Sequence, residues 1–177
     1  MFTTKYILIA FTLLSLVVAA PIGGRSIEYD QLEVREPQGK LLGAVQLAMK
    51  VRHLKPPPNG AVFWSGTKTD AKGKTVSVHA DAKKLAKETG GKTIGQALKD
   101  QGLSIPNDKN SKQLWRIASK AYAKNAKGEV NAVLGSKVRP ESVWNKVEKP
   151  TLEKNNNVNK VTEHNAQTGK QTVTKKK

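Results

Sequence analysis

Three consecutive prolines, Pro56-Pro57-Pro58, followed by Asn59-Gly60, divide this 177-residue chain more sharply than any other feature. Proline fixes φ and lacks an amide hydrogen, and Asn-Gly is a turn pair, so neither a helix nor an interior strand runs through the stretch. What precedes it must end there, and the main domain must begin near residue 59. The chain has no cysteine, so disulfides, thiolate metal sites and a cysteine nucleophile are ruled out. Its folded part has to be held by the core alone.

Upstream of the prolines, Lys5 precedes an apolar run from Tyr6 to Val18 that ends in Val18-Ala19-Ala20. A charged start, a short apolar stretch and small residues at its end form the pattern of a signal peptide over residues 1–20, too short for a spanning helix. The expectation is a secreted, extracellular protein. Residues 21–58 read as a linker or pro-segment. Leu41, Val45, Ala48 and Val51 recur within it at helical spacing and predict one helix over 41–54.

Downstream, Ala61-Val62-Phe63-Trp64 favours a buried strand that opens into a loop at Ser65-Gly66. A helix is predicted over about 75–88 and stopped by Gly90-Gly91, and a shorter one is predicted around Ile94, Ala97 and Leu98. Asn110-Ser111 can cap a helix over 112–125 with an apolar stripe of Leu114, Ala118, Ala121 and Tyr122. A strand over 129–134, a helical turn from Pro140 through Trp144 and a last strand over 158–162 complete the pattern. Residues 166–177, polar and basic, read as a disordered tail. This order predicts an α/β (or α+β) fold: one small domain over 59–165, with helices packed on a short sheet.

The formal net charge is +17. Residues 21–50 balance four basic residues against four acids, so the excess falls on 51–177. Such a field attracts polyanions, whether nucleic acid, an anionic cell wall or membrane, or a phosphorylated small substrate; a solvated lysine-rich surface is the bland alternative. His53, His79 and His164 lie in unrelated segments without ligand spacing, so no metal site is predicted. No G-x-S-x-G elbow, Walker A loop, dinucleotide fingerprint or H-E-x-x-H is present. What remains is three tryptophans and one carboxylate. Trp64 ends the first strand, Trp115 precedes Ser119 by four, and Trp144 precedes Glu148 by four within Ser142–Leu152. Taken singly, each tryptophan reads as a core residue, and Glu148 as a partner for one of the many lysines.

Taken in order, Phe63-Trp64-Ser65, Gly90-Gly91-Lys92-Thr93-Ile94, Trp115-x-x-x-Ser119 with Ala121-Tyr122, and Ser142-x-Trp144-x-x-x-Glu148 resemble the ADP-ribosyl cyclase/NAD glycohydrolase family. The resemblance is closest to the compact, cysteine-poor version at the C-terminal ends of bacterial contact-dependent toxins, and it covers about 61–165. It implies Trp64 and Trp115 as walls of a nicotinamide–ribose pocket, with Ser65 and Ser119 as polar positions around the substrate. It also implies a loop contacting phosphate and base at Ser142 and Trp144, the latter where the family often has phenylalanine, and Glu148 as the catalytic carboxylate. NAD or NADP would be the substrate, no cofactor or metal is implied, and an inhibitory partner protein is implied by analogy. A carboxylate at the ribose hydroxyls would stabilise an oxocarbenium-like centre, while indole faces hold nicotinamide and a cationic site suits pyrophosphate.

Two departures matter. After Thr93-Ile94 the family commonly carries an acid that influences cyclisation, and this chain has Gly95 and Gln96, which favours hydrolysis. The animal members carry disulfides that this chain lacks. The leading expectation is a secreted NAD glycohydrolase acting as a toxin or effector. Two others stay open: a basic ribonuclease-type toxin recruiting His79 or His164 with Glu148, and a non-enzymatic cationic protein that binds cell wall or membrane.

Overall fold

A computed structural model describes residues 38–108 and 111–176. The segment expected to be a signal peptide and residues 21–37 of the expected linker lie outside the described residues. The elements in chain order are α1 (Gln38–Val51), β1 (Ala61–Ser65), β2 (Thr67–Thr69), β3 (Thr75–Ser77), α2 (His79–Glu88), β4 (Lys92–Thr93) and α3 (Ile94–Asp100). Then follow α4 (Ser111–Lys124), β5 (Gly128–Leu134), a π-helical turn (Trp144–Glu148), α5 (Lys149–Lys154), β6 (Val158–Asn165) and β7 (Gln171–Lys176). This is the α/β architecture expected from the sequence. No helix among the described residues is long and apolar enough to cross a membrane.

The main sheet has the order β4-β1-β5-β6-β7. Its first four strands are parallel, and β7 runs antiparallel to β6 at one edge. A strand covered on both faces needs apolar residues in succession, and Ala61-Val62-Phe63 supplies them, all fully buried. Alternate side chains then serve opposite layers. Ala61, Phe63, Val130, Ala132 and Val161 share one core with residues of α3, α4, α5 and the π turn. Val62 and Val133 pack with Val78, Ala82 and Ala86 of the α2 side.

Phe63 anchors the larger core. Its ring meets Tyr122 of α4 edge-on at 5.4 Å and Trp144 of the π turn at 5.9 Å. Burying each such ring contributes on the order of 2–3 kcal/mol. The Tyr122 hydroxyl, sealed inside, donates to the Lys92 carbonyl and so ties α4 to β4. Val51 and Leu54, just before the three prolines, are fully buried in the same core. The helix of the expected linker thus ends inside the folded unit, while Val45 and Met49 one turn earlier face solvent.

Three elements differ from expectation. The helix predicted from about Thr75 starts at His79, because Thr75–Ser77 pair with Thr67–Thr69 as a hairpin. Its turn is set by the Asp70 carboxylate, which accepts from the Lys72 and Lys74 amides, and β-branched residues suit the extended arms. The helical turn predicted from Pro140 to Trp144 instead begins at Trp144 and runs through α5. The tail expected to be disordered forms β7, fastened by Lys175, whose ammonium donates to the Leu152 carbonyl at 2.9 Å and the Asn155 carbonyl at 2.7 Å. These carbonyls, part-buried at the end of α5, also accept from the Asn155 and Val158 amides, and a cation is favoured there.

Candidate active site around Glu148

The order of the parallel strands places β4 on one side of β1 and β5 on the other. Open α/β sheets of this kind bind ligands outside the carboxyl ends of the strands where the order reverses. Trp64 and Ser65 stand at that end of β1. The backbones leaving β1 and β5 touch there: Thr67 and Lys137 exchange amide–carbonyl bonds of 3.2 and 3.3 Å, and Gly135 donates to Ser65 at 2.9 Å. A Cβ at Gly66 or Gly135 would collide with these backbone atoms, and Gly66 has φ +88°, which is why glycine occupies both positions.

On the other side of β1, the Lys149 amide reaches back five residues to the Trp144 carbonyl, which defines the π turn. Such turns occur mostly as single insertions within α-helices and are frequent at functional sites. Trp144, Glu148 and Leu152 all face inward from it. Glu148 is 4% exposed, and the Ser119 side chain, itself buried in α4, lies beside its carboxylate and favours the charged form. Among the described residues no lysine, arginine or histidine forms an ion pair with Glu148. In a chain carrying 31 Lys and Arg, the expected default of a lysine partner does not hold. Burial pushes this carboxyl up to about 7, against a smaller opposing effect of Ser119.

Trp115 lies one turn before Ser119 on the same face of α4 and is 39% exposed. Trp64 is 38% exposed. Its indole stacks on His79 at the start of α2, with centroids 4.7 Å apart and planes 28° from parallel. Burial, then Lys83, hold the His79 imidazole below its ordinary range, so at neutral pH it stacks as an uncharged ring. The structure therefore places Ser119 beside Glu148 and brings Trp115 within one turn. Trp64, next to Phe63 in the strand and in register with Val133, faces the α2 side of the sheet, away from Glu148, and makes no ring contact with Trp115.

Two expected substrate contacts have other employment. Trp144 is 1% exposed and packs on Phe63 as a core residue, so its ring faces no open pocket. The Ser142 hydroxyl accepts from the Asn145 amide at 3.3 Å and caps the π turn. The histidines proposed for acid–base work with Glu148 are also placed elsewhere. His164 bonds Asn131 at 2.8 Å; it is in register with Val133, on the face of the sheet that α2 covers, away from Glu148. His79 is occupied by Trp64. The stacking role of His79 was not readable in the sequence, because it joins a strand end to a helix start across the β2–β3 hairpin. Among the described residues no cluster of three or more histidine or acidic side chains could hold a metal ion.

No family model matches the chain, and no curated protein does. Among solved structures, the chain is similar to a crystal structure of Aplysia cyclase complexed with the substrate NGD and the product cGDPR: 24% identity over 62% of this chain and 49% of that one, TM-score 0.43. It is likewise similar to a crystal structure of ADP ribosyl cyclase complexed with N1-cIDPR: 23% identity over 62% and 50%, TM-score 0.43. The chain spans about half the length of both.

Proposed function

We propose that this chain is an NAD(P) glycohydrolase, secreted and acting as a toxin or effector, with Glu148 as its catalytic carboxylate. One observation carries the reading: a buried carboxylate without a cationic partner, beside Ser119, which lies one turn from the half-exposed Trp115. A structural ion pair would have used one of the lysines. A carboxylate left alone in an apolar site destabilises the fold, and such groups concentrate at functional sites.

In the reaction, the bond between the nicotinamide ring nitrogen and the ribose carbon breaks and its electron pair leaves with nicotinamide. The ribose carbon becomes oxocarbenium-like. Glu148, ionised and placed at the ribose hydroxyls, would stabilise that developing charge in a poorly screened environment. Water then adds to the carbon and releases a proton, giving ADP-ribose. Ser119 would favour the ionised carboxylate and Trp115 would flank the flat base, while Trp64, stacked on His79 on the α2 face, would meet the substrate only past the carboxyl end of β1. Ser65 would sit at the strand end nearest the substrate. Gly95, the second residue of α3, offers no side chain to steer a second nucleophile, so hydrolysis is favoured over cyclisation.

The test is NAD consumption, read by fluorescence and by product chromatography, for the parent protein and Glu148→Gln. Loss of at least about 100-fold in the variant supports the assignment. A parent that leaves NAD and NADP intact, or a variant as active as the parent, removes it.

A further inference from the structure

A face of α4 other than the one carrying Ser119 borders a groove of about 840 Å³, whose second wall is formed by the π turn and α5. We propose that this groove docks an acidic, amphipathic segment of a partner protein. Arg116, Lys120 and Lys124 line it along α4, Lys146 and Lys154 line it from the opposite wall, and Ile117, Val147 and Pro150 supply apolar surface between them. No acid lines it.

Charge alone would not distinguish this place on so basic a protein; the gathering of cations on both walls of one concave surface that has an apolar floor and no acid does. Lys68, Lys92, Lys149 and Lys160 are paired with Asp81, Asp100, Glu163 and Glu129. In the groove only Lys146 is paired, with the exposed Glu141 at 3.1 Å. Arg116, Lys120, Lys124 and Lys154 have no carboxylate partner among the described residues. Four uncompensated cations along two walls create a strong local field for a ligand of opposite sign.

Length and chemistry narrow the ligand. Arg116 to Lys124 spans eight residues of helix, about 12 Å, more than one phosphate requires and suited to an extended or helical segment. Single-stranded nucleic acid is normally gripped by stacking aromatics beside the cations; this groove contains none, and the exposed Trp64 and Trp115 are not among its lining residues. An amphipathic segment with carboxylates at its flanks and aliphatic side chains at its centre matches both rim and floor. Lys146 and Val147 immediately precede Glu148, so the occupant rests on the turn that carries the buried carboxylate, though the docking itself does not depend on the NAD reading.

The experiment uses the full chain and three labelled probes: a helical peptide of glutamates and leucines at amphipathic spacing, a peptide of glutamates without leucine, and a single-stranded oligonucleotide. The amphipathic peptide is expected to bind tightest, to weaken as salt rises through about 0.15 M, and to lose about tenfold or more in affinity to Lys120→Glu/Lys124→Glu. Lys120→Gln/Lys124→Gln carries the same comparison if the reversed pair does not fold. Unchanged affinity in a folded variant overturns the proposal. So does equal binding of the leucine-free peptide, which would mean a diffuse field, or tighter binding of the oligonucleotide, which would mean a nucleic-acid surface.

Discussion

Glu148 sets a trade between stability and activity at the scale of one side chain. Its proton is held more tightly in the folded chain, at about 7, than at the ordinary 4.5. The folded state therefore binds more protons than the unfolded state between these values, and stability falls as pH rises from 4.5 to 7. Glu148→Gln removes that loss. Thermal melts should show the variant more stable than the parent at pH 8, by up to about 3 kcal/mol, and nearly equal at pH 4.5. NAD cleavage that needs the ionised form should climb with pH through about 7 and level off above it; a flat profile between pH 5 and 8 would contradict that role. His79→Ala should free the Trp64 indole, shift its fluorescence and raise KM more than it lowers kcat, whereas His79→Phe should preserve the stack. The tryptophans, serines and Glu148 stand out in the sequence only through the family that their order resembles; spacing by itself leaves each of them a core or salt-bridge residue. The depth at which Trp144 lies, the capping by Ser142 and the stack of His79 were not legible, because each depends on where a distant element comes to rest.

Among elements, β7 shows how composition misleads. Gln171–Lys176 has the polarity of a solvated tail, yet an edge strand needs only one pairing neighbour and tolerates exposed lysines, which also discourage further strands from adding. Its partner β6 and its anchor, the end of α5, are both supplied from elsewhere in the fold. Lys175→Met should cost about 0.5–1.5 kcal/mol, measured by denaturant unfolding, since the Leu152 and Asn155 carbonyls lose their second donor but keep the backbone amides of Asn155 and Val158. By contrast α3 was legible: Thr93 caps it and Gln96 reaches back to the Thr93 amide, the reciprocal pattern of a capping box, and its apolar residues Ile94, Ala97 and Leu98 are all buried.

For the whole molecule, the α/β order followed from strand runs and helical stripes, while the helix expected over 41–54 is Gln38–Val51 and ends ahead of the three prolines. Yet the core reaches back across them to Val51 and Leu54 and forward into β7. A fragment of residues 59–165 should therefore unfold at lower temperature and bind more hydrophobic dye than one of residues 38–176, since it lacks two core side chains of about 1.5–3 kcal/mol each as well as the edge strand. Equal melting temperatures would show the flanks to be dispensable. The π turn has a final consequence, in evolutionary currency. It holds one residue more than an α-helical turn would, so deletion of a single exposed position such as Asn145 would close it to an ordinary turn with an i→i+4 bond. Trp144 and Glu148 would then stand three apart, a spacing that an α-helix still places on one face. A lineage could thus gain or lose that one residue while both side chains stay turned inward, which makes the turn a tolerant place for an indel right beside the carboxylate.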